Sequence, residues 1–236
     1  YGALDAATKL SLRVAPPIHG LGLLGAVSEA DIRAKADPQD RDGDGISGRP
    51  NLVWKGDGKA KGLGRYGWKA HRFSLRIQVA AALQGDMGIT NPVFRGQPCT
   101  ERQEACRDSV SGAGADGLEI SEKLLALMVA YVRDIGVPRR RAASNKVVRQ
   151  GEALFLSTGC ASCHRPSFVT NKDADPKHLA GQTIWPYTDL LLHDMGERLA
   201  DHRPEFEATG REWRTPPLWS LGLSRAVNGN TSYLHD

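Results

Sequence analysis

The segment Cys160-Ala161-Ser162-Cys163-His164 has the residue types and spacing of a covalent haem attachment site. In a CxxCH segment, two thiols about one turn apart form thioethers with the vinyl groups of one porphyrin, and the adjacent His binds the iron. The alternatives are a redox-active CxxC or half of a zinc site that a His follows by chance. Because the sequence has no second CxxC and no HxxxH to complete a zinc site, it predicts haem c, with His164 as the proximal ligand.

A six-coordinate haem also needs a second axial ligand, usually Met or His. Met195 is the only Met after His164 and lies in a turn-like His-Asp-Met-Gly segment, so it is the first candidate. The other candidates are a residue beyond Asp236 and four histidines, namely His178, His193, His202 and His235. His193 and His235 have an alternative role as hydrogen-bond partners of haem propionates or loop carbonyls. Propionate binding is also open to Trp213 and to Arg214, whose guanidinium matches carboxylate geometry.

The acidic segment 40–46 reads Asp-Arg-Asp-Gly-Asp-Gly-Ile and matches the first half of a calcium loop. Asp40, Asp42 and Asp44 would supply carboxylates and Ile46 a backbone carbonyl, with Gly at the sixth position for the sharp turn. The twelfth position is Asn51 rather than the usual Glu. The alternative is an Asp/Gly turn without an ion. Because three carboxylates two residues apart repel one another without a cation, we favour Ca²⁺.

Cys99 and Cys106 lie seven residues apart in a polar, loop-like segment. Haem c is attached outside the cytoplasm, where disulfides persist. We therefore expect a periplasmic or otherwise exported protein in which these two residues form a local disulfide. A redox-active pair is the alternative, but nothing nearby is clearly electropositive enough to favour it.

Helices with marked starts and ends are expected to position these residues. Helical spacing of apolar residues predicts a helix over 146–155 that leads into the CxxCH segment. Capping residues and apolar periodicity predict further helices over 28–36, 74–83, 121–135 and 188–192. Few segments alternate with period two, so we expect a mainly α fold with long loops. The basic segment Pro138-Arg139-Arg140-Arg141 suggests a boundary between domains at 1–140 and 144–236.

The composition excludes several classes of protein. Of 236 residues, 40% are hydrophobic and 25% are charged, as in ordinary globular proteins and unlike disordered or fibrous ones. The net charge of +4 includes no basic stripe, so nucleic acid is not a predicted partner. No apolar run approaches the ~18 residues that a membrane span requires.

Seven segments together resemble the di-haem c-type cytochrome oxidoreductase family, whose members are labelled peroxidases or thiol oxidoreductases. The family is akin to bacterial di-haem cytochrome c peroxidases and MauG. The resemblance covers nearly the whole chain. Its segments are 20–24 (GLGLL), 40–51 (DRDGDGISGRPN), 64–70 (GRYGWKA), 86–92 (DMGITNP), 160–164 (CASCH), 186–196 (PYTDLLLHDMG) and 212–219 (EWRTPPLW).

The resemblance implies an architecture of two cytochrome c domains, each with its own CxxCH. This sequence contains one, so we expect the first haem domain to precede Tyr1 and the second domain to continue beyond Asp236, or another chain to supply the rest. Segment 1–140 would be the remainder of the first, peroxidatic-side domain, with the calcium-like loop and the disulfide loop. Segment 144–236 would be a cytochrome c-like haem domain that is incomplete at its C-terminal end.

The resemblance also implies roles for three side chains. Trp68 would transfer electrons between the two haems, and Gln78 and Asp86 would position peroxide or move its proton, as general acid–base catalysis requires. The Trp-to-Gln spacing fits the family, whereas Asp86 replaces the usual Glu and comes slightly early. The alternative roles are a core aromatic for Trp68, a helix-surface amide for Gln78 and a turn residue for Asp86.

Three functions follow from this resemblance. The first is reduction of hydrogen peroxide by a di-haem peroxidase that receives electrons from a small cytochrome or cupredoxin. The second is periplasmic electron transfer without peroxidase activity. The third is MauG-like oxidation of a protein substrate.

Overall fold

The computed structural model describes residues 4–56 and 58–229. His235 lies outside the described residues. The α-helices are α1 (Leu21–Gly25), α2 (Glu29–Arg33), α3 (Leu75–Met87), α4 (Glu104–Arg107), α5 (Glu122–Asp134), α6 (Lys146–Ser157) and α7 (Ser224–Asn228). The strands are β1 (Leu52–Trp54), β2 (Lys61–Leu63), β3 (Phe168–Val169), β4 (Thr183–Ile184), β5 (Leu192–Asp194) and β6 (Glu212–Arg214). Short 3₁₀ turns span Cys160–Ser162, Lys177–Leu179, Glu197–Leu199 and Leu221–Leu223.

Four helices begin at side chains that cap them, and the sequence predicts two of these caps, Ser28 and Ser121. The residues before α2, α3, α5 and α6 each accept a hydrogen bond from a backbone N–H in the first turn, which satisfies one of its unpaired donors. These capping residues are Ser28, Ser74, Ser121 and Asn145.

The prediction of a mainly α fold is wrong. Helix accounts for 30% of the structure and strand for 10%, and loops make up much of the rest. The strands form three two-stranded antiparallel sheets, β1–β2, β3–β4 and β5–β6. With 26 Gly and 13 Pro, the segments between the capped helices are interrupted too often for further long helices to form.

The predicted helix over 188–192 is also wrong. Leu190, Leu191 and Leu192 are fully buried, but Leu192 begins β5, which pairs with β6 through His193 and Trp213. A short, continuous apolar run is consistent with a buried strand or with a helix, and periodicity alone does not separate the two.

The hydrophobic core joins the two segments that the sequence analysis divides. One buried cluster contains Leu24 and Leu63 from the first segment together with Phe168, Ile184 and Leu191 from the second. The domain boundary at 138–141 stays a prediction. A second cluster packs α3 against α5. No helix within the described residues is long and apolar enough to cross a membrane.

Candidate functional site

The CxxCH segment forms a tight turn directly after α6. Gly159 adopts a left-handed conformation with φ of 85°, which glycine tolerates without steric cost. The 3₁₀ turn Cys160–Ser162 follows, and the His164 backbone N–H donates to the Cys160 carbonyl at 2.9 Å. Cys160 is exposed, Cys163 is half-buried, and both are free thiols. The turn therefore keeps both thiols beside one imidazole.

A backbone carbonyl orients the His164 ring. Nδ1 of His164, a residue that is only 7% exposed, lies 2.8 Å from the carbonyl oxygen of Tyr187. Because a carbonyl can only accept, Nδ1 carries the proton in this hydrogen bond, and the neutral imidazole has its lone pair on Nε2. Thr188 N–H donates to the Arg165 carbonyl at 3.0 Å, which fixes the Tyr187 segment against the turn. Partners of this kind set the orientation of metal-binding histidines.

Aromatic rings pack beside the imidazole. The Phe155 ring of α6 contacts the His164 ring at a centroid distance of 6.2 Å and the Tyr187 ring edge-on at 5.5 Å. The helix that leads into the turn therefore also helps to hold the His164 ring in place.

A buried carboxylate–imidazole pair lies against Cys163. His193 Nδ1 is 3.7 Å from Cys163 Sγ, and His193 Nε2 is 2.8 Å from Asp189 Oδ2. Burial lowers the pKa of His193, but the hydrogen bonds with Asp189 and Cys163 outweigh burial and raise it to about 10. Sequence reasoning identified His193 but missed Asp189. The available signal was a carboxylate four residues before a His in an otherwise apolar run.

The guanidinium of Arg214 is buried next to this pair. Arg214 donates from Nε to the Gly67 carbonyl at 2.9 Å and from Nη1 to the Thr215 carbonyl at 3.1 Å, and its backbone N–H donates to the Trp68 carbonyl at 2.8 Å. Burial lowers the pKa of Arg214 to about 10, against the attraction of Asp189. Arg214 therefore remains a cation at neutral pH.

The acidic loop brings its three carboxylates together. Ligand oxygens of Asp40, Asp42 and Asp44 lie within 4.8 Å of one another. Gly43 and Gly45 have φ of 71° and 81°, the left-handed conformation that favours glycine. The side chain of Asp40 accepts a hydrogen bond from Gly45 N–H at 3.1 Å. The loop curls around these oxygens in a form that fits a hard cation such as Ca²⁺.

The acidic loop and the CxxCH turn face one cavity. The cavity has a volume of about 220 Å³, and its lining includes Asp42, Asp44, Ala161, Ser162 and His193. The structure therefore brings two of the predicted sites close to each other, although 110 residues or more separate them in the sequence.

The predicted axial ligands differ in their surroundings. Met195 is half-buried and its backbone N–H donates to the Arg211 carbonyl at 3.0 Å, so it continues the β5–β6 ladder. Alternation along a strand places Met195 on the same side as His193. His178 is exposed with Nε2 2.9 Å from Asp134, and exposed His202 lies 3.5 Å from Glu197.

The three side chains implied by the family resemblance do not form one cluster. The half-buried Trp68 donates its indole N–H to the Val14 carbonyl at 2.7 Å. Gln78 lies in α3, where its Oε1 is buried without a hydrogen-bond partner among the described residues. Asp86 is exposed near the end of the same helix. Eight residues of helix separate Gln78 and Asp86 by about 12 Å along the axis, so they do not contact one small ligand together.

Cys99 and Cys106 form a disulfide with a Cα–Cα distance of 5.8 Å. It joins the loop before the short helix α4 (Glu104–Arg107) to Cys106 within that helix.

A buried ionic cluster supports the strand that carries Arg214. Lys69 is fully buried, and its Nζ contacts the carbonyls of Thr209 and Glu212 at 2.8 and 2.9 Å and Asp201 Oδ1 at 3.0 Å. The same Nζ lies 4.4 Å from the ring centroid of Trp213 in β6. Lys69 therefore ties the Trp68 segment to the β6 region.

Arg13 and His71 complete this cluster. Arg13 pairs with both Asp201 and Glu205, and His71 Nδ1 lies 2.7 Å from Glu205. Burial alone would raise the pKa of Glu205, but His71 and Arg13 outweigh burial and lower it to about 2. Hydrogen bonds from Arg203 N–H and Arg13 likewise hold the pKa of Asp201 well below its usual range, against the effect of burial.

The donor set at the CxxCH turn fits a haem, because two free thiols and a buried imidazole with a fixed tautomer lie on one turn. Comparison with protein families identifies the class to which the chain belongs. A family profile described as "Di-haem oxidoreductase, putative peroxidase" matches residues 3–236. The chain therefore belongs to the di-haem oxidoreductase family, which confirms the predicted resemblance and implies haem binding. No curated protein and no solved structure matches the chain.

Proposed function

We propose that the chain takes part in peroxide reduction as the part of a di-haem oxidoreductase that holds one covalent haem c. Cys160 and Cys163 would form the thioethers with the haem, and His164 would bind its iron through Nε2. The observation that carries the haem assignment is the hydrogen bond from His164 Nδ1 to the Tyr187 carbonyl, because it sets the tautomer that a proximal ligand needs. Support for peroxide reduction comes from the family to which the chain belongs. When bound, the haem supplies one-electron redox chemistry at its iron.

Protein groups around the turn have separate tasks in this proposal. Phe155 packs beside the imidazole and would help to keep its orientation. Met195 would be the second protein ligand of the iron, a proposal supported by its half-buried position on the His193 side of β5. His178 and His202 are weaker candidates, since both are exposed and lie next to carboxylates.

Trp68 is the proposed electron relay toward the second haem. Its support is that the Trp68 backbone is hydrogen-bonded to Arg214, whose guanidinium lies close enough to Asp189 for their charges to interact. Gln78 is proposed to position peroxide with its unpartnered amide oxygen. Asp86 is proposed to move a proton of peroxide. Because about 12 Å of helix axis separates it from Gln78, it would not contact a peroxide that Gln78 holds.

Further parts of the proposal concern the surroundings of the enzyme. Ca²⁺ would bind Asp40, Asp42, Asp44 and the Ile46 carbonyl. The protein would be exported, because haem c is attached outside the cytoplasm. A small cytochrome or cupredoxin would supply electrons, and the second haem would come from a further segment or another chain.

The first experiment determines whether haem is attached. Intact mass spectrometry after acid–acetone extraction should show the chain plus one haem, and the double variant Cys160→Ala/Cys163→Ala should lose it. The matched control is Cys99→Ala/Cys106→Ala, which removes the other cysteine pair and should keep the haem. Complete extraction of haem from the wild-type chain would refute covalent attachment.

The second experiment separates the peroxidase from a pure electron carrier. In the complete two-haem protein, a high-spin component of the optical spectrum should respond to hydrogen peroxide, and Trp68→Phe should slow turnover by at least tenfold. For a chain with one haem alone, we expect weak or no turnover. If the spectrum of the two-haem protein is purely low-spin and does not change when hydrogen peroxide is added, the result would favour electron transfer without peroxidase activity.

A further inference from the structure

Arg214 lies between the CxxCH turn and the Trp68 segment. On one side it donates to the carbonyls of Gly67 and Trp68. On the other side its Nη1 donates to the Thr215 carbonyl, which also accepts from the Thr188 hydroxyl at 2.5 Å. The residue is only 4% exposed. The buried Arg214 side chain therefore contacts the residue before Trp68 and, through the Thr215 carbonyl, the segment that contains Thr188.

Two short routes lead from this guanidinium to the groups that would hold the haem. The first runs through the Thr215 carbonyl to Thr188, whose neighbour Tyr187 fixes His164. The second runs through Asp189, which attracts Arg214 and is 2.8 Å from His193, the imidazole that lies against Cys163. The first route therefore ends at His164, the proposed iron ligand, and the second ends at the Cys163 thiol.

The partners of Arg214 leave most of its charge acting on its surroundings. Two of its side-chain donors are hydrogen-bonded to neutral carbonyls. The Asp189 carboxylate, whose charge attracts Arg214, is already hydrogen-bonded to His193 and to the Leu191 N–H at 3.0 Å. Inside a protein, charges are weakly screened by salt and interact more strongly than in water. A buried cation near a haem favours the ferrous form, which carries one positive charge less than the ferric form.

We propose that the buried charge of Arg214 raises the reduction potential of the haem held at Cys160, Cys163 and His164. The inference rests on the proposed function, since it requires haem at this turn. It assigns Arg214 a role within the protein interior rather than as a partner of the haem propionates.

The chain offers a matched control on the same pair of strands. Arg211 directly precedes β6 and is exposed, and its Nε lies 3.0 Å from the exposed Asp194 of β5. Replacement of Arg211 removes one positive charge at nearly the same place in the sequence. Because that charge is solvated and screened, its effect on the haem should be small.

The test is a spectroelectrochemical titration of the haem-loaded protein at low and high salt. Arg214→Gln should lower the reduction potential at both salt concentrations, and Arg214→Lys, which keeps the charge, should stay near the wild-type potential. Arg211→Gln should lower the potential by less than a quarter as much and lose that effect at high salt. Arg214→Met is the second neutral variant if the Gln variant does not fold, because its flexible apolar side chain fills the site without an unpaired donor.

The outcomes separate the inference from the proposed function. A wild-type chain without covalent haem would overturn the proposed function and this inference with it. Attached haem whose potential is unchanged in the neutral Arg214 variants would overturn the inference alone. The inference would equally fail if Arg214→Lys shifted the potential as much as Arg214→Gln, or if Arg211→Gln matched it.

Discussion

The Lys69 cluster and the acidic loop both contain closely spaced carboxylates, but they balance the negative charge in opposite ways. Asp201 and Glu205 contact the side chains of Arg13, Lys69 and His71. In the loop, Asp40 and its neighbours accept hydrogen bonds from backbone N–H groups. Among the described residues, no basic side chain forms an ion pair with Asp40, Asp42 or Asp44. The first arrangement stabilises the fold by itself, whereas the second leaves negative charge that an external cation can balance.

The largest effect should come from breaking the buried cluster. Lys69→Met removes the cation from Asp201 and from two carbonyls, and loss of one partner of a buried ion pair costs about 3–5 kcal/mol. We expect the free energy of unfolding in urea to fall by that amount. A change below about 1 kcal/mol would show that the Lys69 charge is not needed to balance its neighbours.

Acid should weaken the same cluster over a defined range of pH. The pKa of Glu205 is about 2 in the folded chain and its ordinary value is 4.5. A lowered carboxyl pKa contributes stability that is present above 4.5 and is lost as the pH falls toward 2, on the order of 3 kcal/mol.

Unfolding measured between pH 5 and 2 should therefore show a steep loss of stability in the wild type. The loss should be shallower in Glu205→Gln, while the exposed Glu197→Gln keeps the wild-type slope. An unchanged slope in Glu205→Gln would assign the acid sensitivity to other groups.

Calcium should act on the loop by mass action. At a free Ca²⁺ concentration 100 times Kd, a single site raises the free energy of unfolding by about 2.7 kcal/mol, which thermal unfolding with Ca²⁺ or with a chelator measures. Asp42→Asn should remove most of this gain, and Asp31→Asn, an exposed carboxylate outside the loop, should keep it. An equal gain in Asp42→Asn would place any bound Ca²⁺ elsewhere.

The smallest effect is expected at an exposed ion pair. Lys61 Nζ lies 2.9 Å from Glu207 Oε1, but the Lys61 side chain is 62% exposed. Exposed pairs contribute about 0.2–1 kcal/mol because water and salt screen them. Lys61→Met is thus the matched control for Lys69→Met, and an equal loss in both variants would remove burial as the reason for the difference.

Local features of the fold could be predicted from the sequence. The starts of three helices could be predicted because each cap is local. The side chains of Ser28, Ser74 and Ser121 each accept a hydrogen bond from the N–H only three residues further along the chain. The CxxCH turn is local in the same way. The run before His193 was wrongly predicted as a helix because its burial and its pairing with β6 depend on residues about 20 positions away.

The surroundings of the site were beyond sequence reasoning. Arg13 and Glu205 form an ion pair across 192 residues, and nothing in either local segment marks the other. The sequence does not indicate that Lys69 is completely buried, because lysine is almost always a surface residue. Residue types and spacing predicted the groups that are proposed to bind, but the groups that hold them in place are assembled by tertiary contacts.

The position of Trp213 between two cations has a consequence for oxidative damage. Lys69 Nζ and the Arg13 guanidinium lie 4.4 and 5.1 Å from its ring centroid. Both attract the electron-rich face of the neutral indole, but both would repel the radical cation that forms if the ring lost an electron. Loss of an electron from Trp213 to a strong oxidant is therefore disfavoured. Among the described residues no cation lies over the Trp68 ring, and its indole N–H donates to a neutral carbonyl, so a radical cation at Trp68 meets no such repulsion from them.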